Sequence, residues 1–302
     1  MKSKILFFYI LIGISTFAQT KRDIILKDSI ISPINSGSLA IEENYLKTYS
    51  LLKKLDAEFG YEKDIHVKIL EYSYLQNDSI NFKNDLTILV KEYGFKIDYL
   101  NATENYYNDI TIGKLATWFK EMYLKNHFIW LNNNFEKLSD IRILNEVNVK
   151  DQVIARLSSE IITLELKPSD SVKIHTRIKN LNCENLQLIY DISKKNNVFV
   201  LSKKFPIIQN RLNNSIVHNF QTNISKTWEL LFPLVKKAYI KNEIDNVIFQ
   251  NYDFYCFLKN GYQEFNSYKI EQIPKQFRKN NNSIPLKDEK EFVKIKSEFK
   301  WN

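Results

Sequence analysis

Glycine is scarce in this chain of 302 residues, and no two of its six glycines stand close together. A P-loop, a dinucleotide-binding G-x-G-x-x-G turn and a G-x-S-x-G nucleophile elbow all need clustered glycines for their tight turns. The sequence therefore excludes these three motifs. The two cysteines are too few for a zinc ribbon or for a cysteine-ligated iron–sulfur centre.

Long hydrophobic runs are also rare, and the one that stands out, residues 5–14, follows two lysines at the N-terminus. Small residues at positions 16 and 18 complete the pattern of a secretory signal peptide, which predicts cleavage of residues 1–18. The alternative is an uncleaved N-terminal anchor, although the run is shorter than the roughly 20 apolar residues of a comfortable span. No cysteine follows the run, which excludes lipoprotein processing. We therefore expect an exported protein, periplasmic or secreted, with no membrane span after signal cleavage.

The charge of the chain is only moderately biased. Lysine and arginine number 43 against 35 aspartates and glutamates, a formal net charge of +8. The two signs alternate along most of the sequence, and the densest basic group is residues 275–279. A nucleic-acid-binding surface needs basic clusters on one face with aromatic residues between them. We therefore expect no nucleic-acid partner.

Apolar side chains recur every three or four positions from residue 40 onward, which is the spacing of amphipathic helices. The clearest stripe begins at Phe82 and ends at Gly94, and an earlier stripe ends at Gly60. The pattern predicts a helical-hairpin domain over residues 40–145. Residues 19–39 contain Pro33, Gly37 and several serines with weak periodicity, and they are interpreted as a linker or a loosely packed entry segment.

Helical stripes continue through residues 146–302, which we interpret as a second domain. Pro168 suits the first turn of a helix, Pro233 falls inside a stripe and predicts a kink, and Asp288 precedes a final helix. Residues 198–201 are the best candidate for a short strand. The predicted fold class is mainly α, with helical hairpins followed by an α-helical domain that has at most a short β element.

The region around residues 72–95 resembles a tetratricopeptide-type unit. A helix ends in the polar turn 77–79, and a second helix follows and closes on Gly94-Phe95. The Trp, Gly, Ala and Pro positions of that repeat are mostly missing, so the likeness is to the class of helical hairpins. Such repeats bury their apolar stripes by stacking on one another and offer an extended binding surface. The resemblance implies a protein or peptide partner on the N-terminal hairpins.

The second half, from about residue 146 to residue 300, resembles a bacterial domain of unknown function that occurs in exported proteins behind such hairpins. Val217 and Phe254 stand where the pattern of that domain has a glutamine and an arginine. If the family has an activity, these departures imply a diverged or inactive member. The likeness rests on the order of a set of polar residues and one proline: Asp151, Gln152, Arg156, His218, Asp253, Gln263, Pro285 and Asp288.

His218 and Asp253 are the candidate catalytic residues. His218 falls on the polar side of its helix and could act as a general base. Asp253 lies in an aromatic stretch, where a carboxylate needs a charged or hydrogen-bonding partner. One hypothesis places both side chains in one cleft with Gln263. The alternative is a structural His218, with Asp253 in a buried pair with Arg156 or Arg211.

The candidate ligand-binding residues are Asp151, Gln152, Arg156 and Gln263, and the resemblance supplies all four. The first three lie within two turns of one predicted helix. The alternative for Asp151 is a purely structural role, because a carboxylate near a helix start is stabilised by the helix dipole.

The remaining histidines and the cysteines point to structural roles. His66, His127 and His175 lack histidine or glutamate partners at metal-ligand spacing, so we expect neither a metal nor a cofactor. Cys183 and Cys256 could form a disulfide in an exported protein. The alternative is that both pack as free, small hydrophobic residues.

No catalytic motif is present, which favours a protein-interaction or ligand-binding module over an enzyme. The alternative function is a diverged hydrolase-type enzyme that uses His218 and Asp253 in a polar cleft.

Overall fold

The structure is a computed structural model, and it describes residues 19–97, 104–163, 167–208, 212–278 and 283–301. Over these ranges the chain is built from helices, and the only β contact is an isolated parallel bridge between Gln263 and Leu286. The prediction of a mainly α fold of helical hairpins is confirmed. None of the described helices is long and apolar enough to cross a membrane. The predicted signal peptide lies outside the described residues.

The N-terminal segment is helical and packed, so the prediction of a linker over residues 19–39 is corrected. It consists of α1 (Lys21–Ile24), a π-helix (Ile25–Ile31) and α2 (Ser32–Asn35). The Thr20 and Asp23 side chains cap α1 reciprocally. Pro33, Gly37 and several serines favour a linker, although the buried Leu26, Ile30 and Ile34 recur every four positions. The segment buries Leu26, Ile30, Ile34 and Leu39.

The described part of the hairpin region contains five α-helices, and their apolar stripes face one another as predicted. Gly60 and Gly94 end the first and the third of them, both with positive φ. Asp78 caps the third helix by accepting a hydrogen bond from the Asn81 N–H. The helices are α3 (Glu42–Phe59), α4 (Lys63–Leu75), α5 (Ser79–Tyr93), α6 (Tyr107–Thr111) and α7 (Ala116–Asn133).

The second half contains longer helices, and the first of them runs without a break across the domain boundary predicted between residues 145 and 146. Pro168 occupies the first turn of its helix, and Asp288 caps the last helix, as predicted. These helices are α8 (Leu138–Thr163), α9 (Pro168–Lys195), α10 (Leu212–Ile240), α11 (Val247–Asn260) and α12 (Glu289–Glu298).

Two local predictions in the second half differ from the structure. Residues 198–201 form a turn and not a strand. Val200 is buried there, and its N–H donates to the Ser193 hydroxyl, so the apolar run fills a core position without a neighbouring strand. In α10 the residue with non-helical backbone angles is Asn223, with φ −154° and ψ 63°, ten residues before Pro233.

Buried hydrogen bonds connect the hairpin region to the second half of the chain. Lys63, at the start of α4, is 1% exposed and donates to the carbonyl oxygens of Ser202 and Phe205. Burial lowers the pKa of Lys63 to about 8. Trp130 of α7 donates to the Pro206 carbonyl. The hairpin region and the second half therefore share buried contacts through the segment between α9 and α10.

Candidate functional site

The predicted site residues Asp151 and His218 meet between α8 and α10. The Asp151 Oδ1 lies 2.9 Å from the His218 Nδ1. Asp151 is 1% exposed, whereas the His218 side chain is 26% exposed. A carboxylate on one ring nitrogen fixes the orientation of an imidazole and leaves the other nitrogen for a ligand or a proton. This pair is therefore the part of the predicted site that the structure brings together.

A polar layer surrounds this pair in the three-helix bundle of α8, α9 and α10. Apolar clusters lie on both sides of it: one contains Leu144, Val147 and Ile189, and the other contains Ile154 and Ile178. Between them all three helices carry polar residues. We define the polar layer as Asn148, Asp151, Asn182, Asn185, Ser215, His218 and Asn219.

The polar layer is incompletely hydrogen-bonded. Asn219 donates from Nδ2 to the carbonyl oxygens of Asn182 and Ser215, at 2.9 and 2.8 Å. Buried polar groups in proteins are nearly always satisfied by protein or by water, so this layer can hold ordered water. Five buried atoms lack a partner among the described residues: Asn148 Oδ1, Asn182 Oδ1, Asn185 Nδ2, Ser215 Oγ and Asn219 Oδ1.

The other two candidates on α8 contribute little to this site. The Gln152 Nε2 lies 3.5 Å from the Asp151 Oδ2, at the limit of a hydrogen bond. Arg156 is exposed, and its Nε donates to the Glu160 carboxylate one turn further along the same helix. The structure therefore places Gln152 beside the pair and directs Arg156 to the helix surface.

Asp253 has a structural environment. It is 1% exposed, and its carboxylate accepts hydrogen bonds from the N–H groups of Glu264, Phe265 and Ser267, at 2.8 to 3.1 Å. Burial raises the pKa of Asp253 to about 6, although these hydrogen bonds lower it. The carboxylate thus holds the turn that follows α11.

Gln263 belongs to the same turn. It is 2% exposed, its Nε2 donates to the Tyr268 carbonyl, and its Oε1 accepts from the Tyr268 N–H. No hydrogen bond or ion pair of the described residues joins His218 to Asp253. Arg156 does not pair with Asp253 either, and Arg211 lies outside the described residues. The hypothesis of one cleft shared by His218, Asp253 and Gln263 therefore finds no support in these contacts.

His66 is buried between two carboxylates that the sequence analysis did not connect with it. Its Nε2 lies 2.7 Å from the Asp56 Oδ2 of α3, and its Nδ1 lies 2.9 Å from the Asp85 Oδ2 of α5. Burial lowers the pKa of His66, but the two carboxylates outweigh burial and raise the pKa above its ordinary value. This cluster joins three helices of the hairpin region, which is a structural role.

The remaining predicted structural residues lie in ordinary environments. His127 stacks between Tyr123 and Trp130 in α7, and His175 is exposed on α9. Cys183 and Cys256 are both free thiols.

A cavity of about 220 Å³ lies where the N-terminal segment, the start of α4, the turn after α9 and the start of α11 meet. We call it the junction cavity. Its apolar wall contains Leu26, Ile31, Ile65, Phe199, Leu201 and Ile248, and its charged lining residues are Arg22, Glu62, Asp64, Lys203, Glu243 and Asp245.

The two basic residues of the junction cavity already have partners. Arg22 is 3% exposed, donates from Nε and Nη2 to the Glu62 Oε1 and donates from Nη1 to the Ile244 carbonyl. The Lys203 ammonium lies 2.7 Å from the same Glu62 oxygen and also donates to the Gly60 carbonyl. Glu62 therefore pairs with both cations of the cavity, one negative charge against two positive charges.

Glu243 and Asp245 have no such partner. Neither forms an ion pair with a lysine, arginine or histidine of the described residues. The Asp245 Oδ1 accepts a hydrogen bond from the Val247 N–H at 3.0 Å. Burial raises the pKa of Asp245 to about 6. Two carboxylates thus line the cavity without a direct ion pair among the described residues, and the favourable charge that acts on Asp245 is that of Arg22.

The junction cavity has no local signal in the sequence, because its lining comes from five distant segments that only the fold brings together. The polar layer carried a readable signal, since Asn182, Asn185, Ser215 and Asn219 interrupt apolar stripes at positions that face a core. No group of three or more histidine, cysteine or acidic residues in the described part of the chain is placed to hold a metal ion.

Comparison with protein-family models, with curated proteins and with solved structures finds no match for this chain. The functional interpretation therefore rests on its own residues.

Proposed function

We propose that this chain is an exported helical binding protein and that its ligand occupies the junction cavity. The observation that carries the proposal is the pair of unneutralised carboxylates, Glu243 and Asp245, in a cavity with apolar walls. A partly buried charge without a counter-ion destabilises a protein, so such residues are characteristic of sites where a ligand supplies the missing interaction. The N-terminal pattern of residues 1–18 supports export.

A variant with a large side chain that blocks the cavity tests this proposal. Val247 lines the cavity and is 39% exposed, so Val247→Trp adds a large side chain at its edge without filling the core. Val172 on α9 is 65% exposed and lies outside the cavity, so Val172→Trp is the matched control. We expect small soluble fragments that bind the wild type in ligand-observed NMR to bind Val172→Trp equally and to lose binding to Val247→Trp. Equal binding by all three proteins would place the ligand elsewhere.

A protein or peptide partner on the N-terminal hairpins is a second component of the proposal. It is supported by the surface of α7 and the turn that follows, where Leu124, Phe128 and Phe135 are 72%, 63% and 70% exposed. Exposed apolar groups of this kind often mark interaction surfaces. A photo-crosslinking residue at position 128 is expected to capture a defined partner in the producing cell, and one at the exposed Lys179 is not.

Hydrolase activity remains the alternative, now with Asp151 in place of Asp253. It is supported by the 2.9 Å contact of the buried Asp151 with the Nδ1 of a partly exposed His218, which is the arrangement that orients a general base. Hydrolysis of p-nitrophenyl acetate should then fall in His218→Gln and remain in Asp253→Asn. Equal rates in the wild type and His218→Gln would remove this alternative.

A further inference from the structure

The charges around the junction cavity define the kind of ligand that it suits. We propose that the ligand is a small organic cation, an amine with an apolar body, whose ammonium group pairs with Asp245 and Glu243. Its apolar body would lie against Phe199, Leu201 and Ile248, which line the same cavity. This inference rests on the proposed function, since it names the ligand class of that cavity.

The partners of the basic residues argue against an anionic ligand. Arg22 uses all three of its donor nitrogens, two on Glu62 and one on the Ile244 carbonyl. Lys203 is 6% exposed and also binds Glu62. An anion would have to displace the Glu62 carboxylate from both cations, and it would lie beside two further carboxylates. A cation instead meets two carboxylates, Glu243 and Asp245, that form no direct ion pair with a described residue.

The composition of the wall argues for an organic cation rather than a metal ion. Hard metal ions such as Mg²⁺ and Ca²⁺ are held by six or more oxygen ligands, including water. Four acidic residues line the cavity, but no three acidic, histidine or cysteine residues of the described chain are grouped as metal ligands, and eight of the lining side chains are aliphatic or aromatic. An alkyl or aryl ammonium matches both parts, because the ammonium donates to carboxylates and the body buries apolar surface.

The volume of the cavity limits the size of the ligand. Pockets for drug-sized ligands measure roughly 300–1,000 Å³, and the junction cavity measures about 220 Å³. The junction cavity by itself therefore holds a monoamine with one ring or a short alkyl chain, and an adjacent cavity shares Leu26, Ile31, Asp245 and Val247 with it. A peptide or a polyamine of several repeats would extend beyond the cavity.

Three probes of the same shape and different charge test the ligand class: benzylamine, benzyl alcohol and benzoate. At pH 7.5, isothermal titration of the wild type is expected to give a binding signal with benzylamine and none with benzoate. In Asp245→Asn the affinity for benzylamine should fall by about tenfold to a hundredfold, the loss expected for one charge-assisted hydrogen bond. Asp191→Asn removes an exposed carboxylate of α9 outside the cavity, and it should bind benzylamine like the wild type.

The outcomes separate the ligand class from the proposed function. If benzoate or benzyl alcohol binds more tightly than benzylamine, and Val247→Trp abolishes that binding, the cavity binds ligands but the inference of a cation is overturned. If benzylamine binds equally to the wild type, Asp245→Asn and Val247→Trp, both the inference and the assignment of the cavity are overturned. Loss of benzylamine binding in Asp245→Asn, with retention in Asp191→Asn, supports the inference.

A measurement of the melting temperature tests whether Asp245→Asn loses binding because it misfolds. An unpaired carboxylate in this environment destabilises the ligand-free protein, so Asp245→Asn is expected to have a melting temperature at pH 7.5 at or above that of the wild type. If Asp245→Asn loses benzylamine binding and its melting temperature is unchanged or higher, Asp245 serves ligand binding and not stability. A marked fall in the melting temperature would instead assign Asp245 a structural role and overturn the inference.

Discussion

The Asp151 carboxylate lies 2.9 Å from the Nδ1 of His218, and it is the more deeply buried partner by far. This difference in burial predicts that substitutions of Asp151 and His218 lower the free energy of unfolding by unequal amounts. His218→Ala leaves a buried carboxylate without its partner and should lower the free energy of unfolding by about 3 kcal/mol. Asp151→Asn removes the charge and keeps the shape, so we expect a loss of about 1 kcal/mol. Urea denaturation at pH 7 measures both, and a larger loss for Asp151→Asn would contradict the burial of that charge.

The pH dependence of stability should report on His66, whose pKa is raised above the ordinary 6.5 by Asp56 and Asp85. A group with a raised folded pKa contributes stability that is complete below the unfolded pKa and is lost as the pH rises through the folded pKa. The free energy of unfolding should therefore fall as the pH rises above about 6.5. Urea denaturation at pH 6 to 7.5, below the pKa of about 8 of the buried Lys63, should show this slope in the wild type and in His175→Gln, which changes an exposed histidine. His66→Gln should lack the slope.

Gly94 lets Trp130 pack against the end of α5. The glycine has a φ of +61°, and a Cβ atom at this position would lie 2.6 Å from the Trp130 Cζ2. Trp130 is 3% exposed and donates to the Pro206 carbonyl, so it has little room to move. Gly94→Ala should lower the free energy of unfolding by about 2–4 kcal/mol. Gly37→Ala is the control, because Gly37 also has a positive φ but no atom lies within 4 Å, and about 1 kcal/mol is expected there.

Local signals in the sequence predict most helix boundaries, and they fail where turn-forming residues lie inside a packed segment. Gly60, Gly94, Pro168 and Asp288 mark helix ends in both the sequence and the structure, because capping depends on residues within one turn. The N-terminal segment contains Pro33, Gly37 and several serines, which are typical of a loop, although its buried aliphatic residues from 26 to 34 recur every four positions.

The candidate site was predictable only as a set of residues. Asp151 and His218 were both named, but their pairing depends on how α8 and α10 align across 67 positions of sequence. Asp253 was named as a partner of His218, and it binds backbone N–H groups instead, which no side-chain pattern reveals. Glu243 and Asp245 look like surface charges in the sequence, because the chain that encloses them comes from the distant α1 and α4.

The binding of an amine in the junction cavity should depend on pH through Asp245, whose pKa is raised to about 6 by burial. Below that pKa the carboxyl group is protonated and no longer attracts an ammonium group. The affinity for benzylamine should therefore fall between pH 7.5 and pH 5, and ligand-free Asp245 should destabilise the fold less over the same interval. Among the neighbouring charges, Asp23 and Glu62 raise the pKa of Asp245 and Arg22 lowers it. The other charged residues that line the cavity are Asp64, Lys203 and Glu243.

Two variants distinguish the effect of Asp245 titration on binding from the effects of the neighbouring charged residues. Asp245→Asn should bind benzylamine weakly at every pH, with little dependence between pH 7.5 and pH 5. Glu243→Gln removes the second carboxylate and keeps Asp245, so its weaker binding should still decrease around pH 6. Titration calorimetry at five pH values checks both curves. A wild-type affinity that stays constant down to pH 5 would show that the ammonium group does not pair with Asp245.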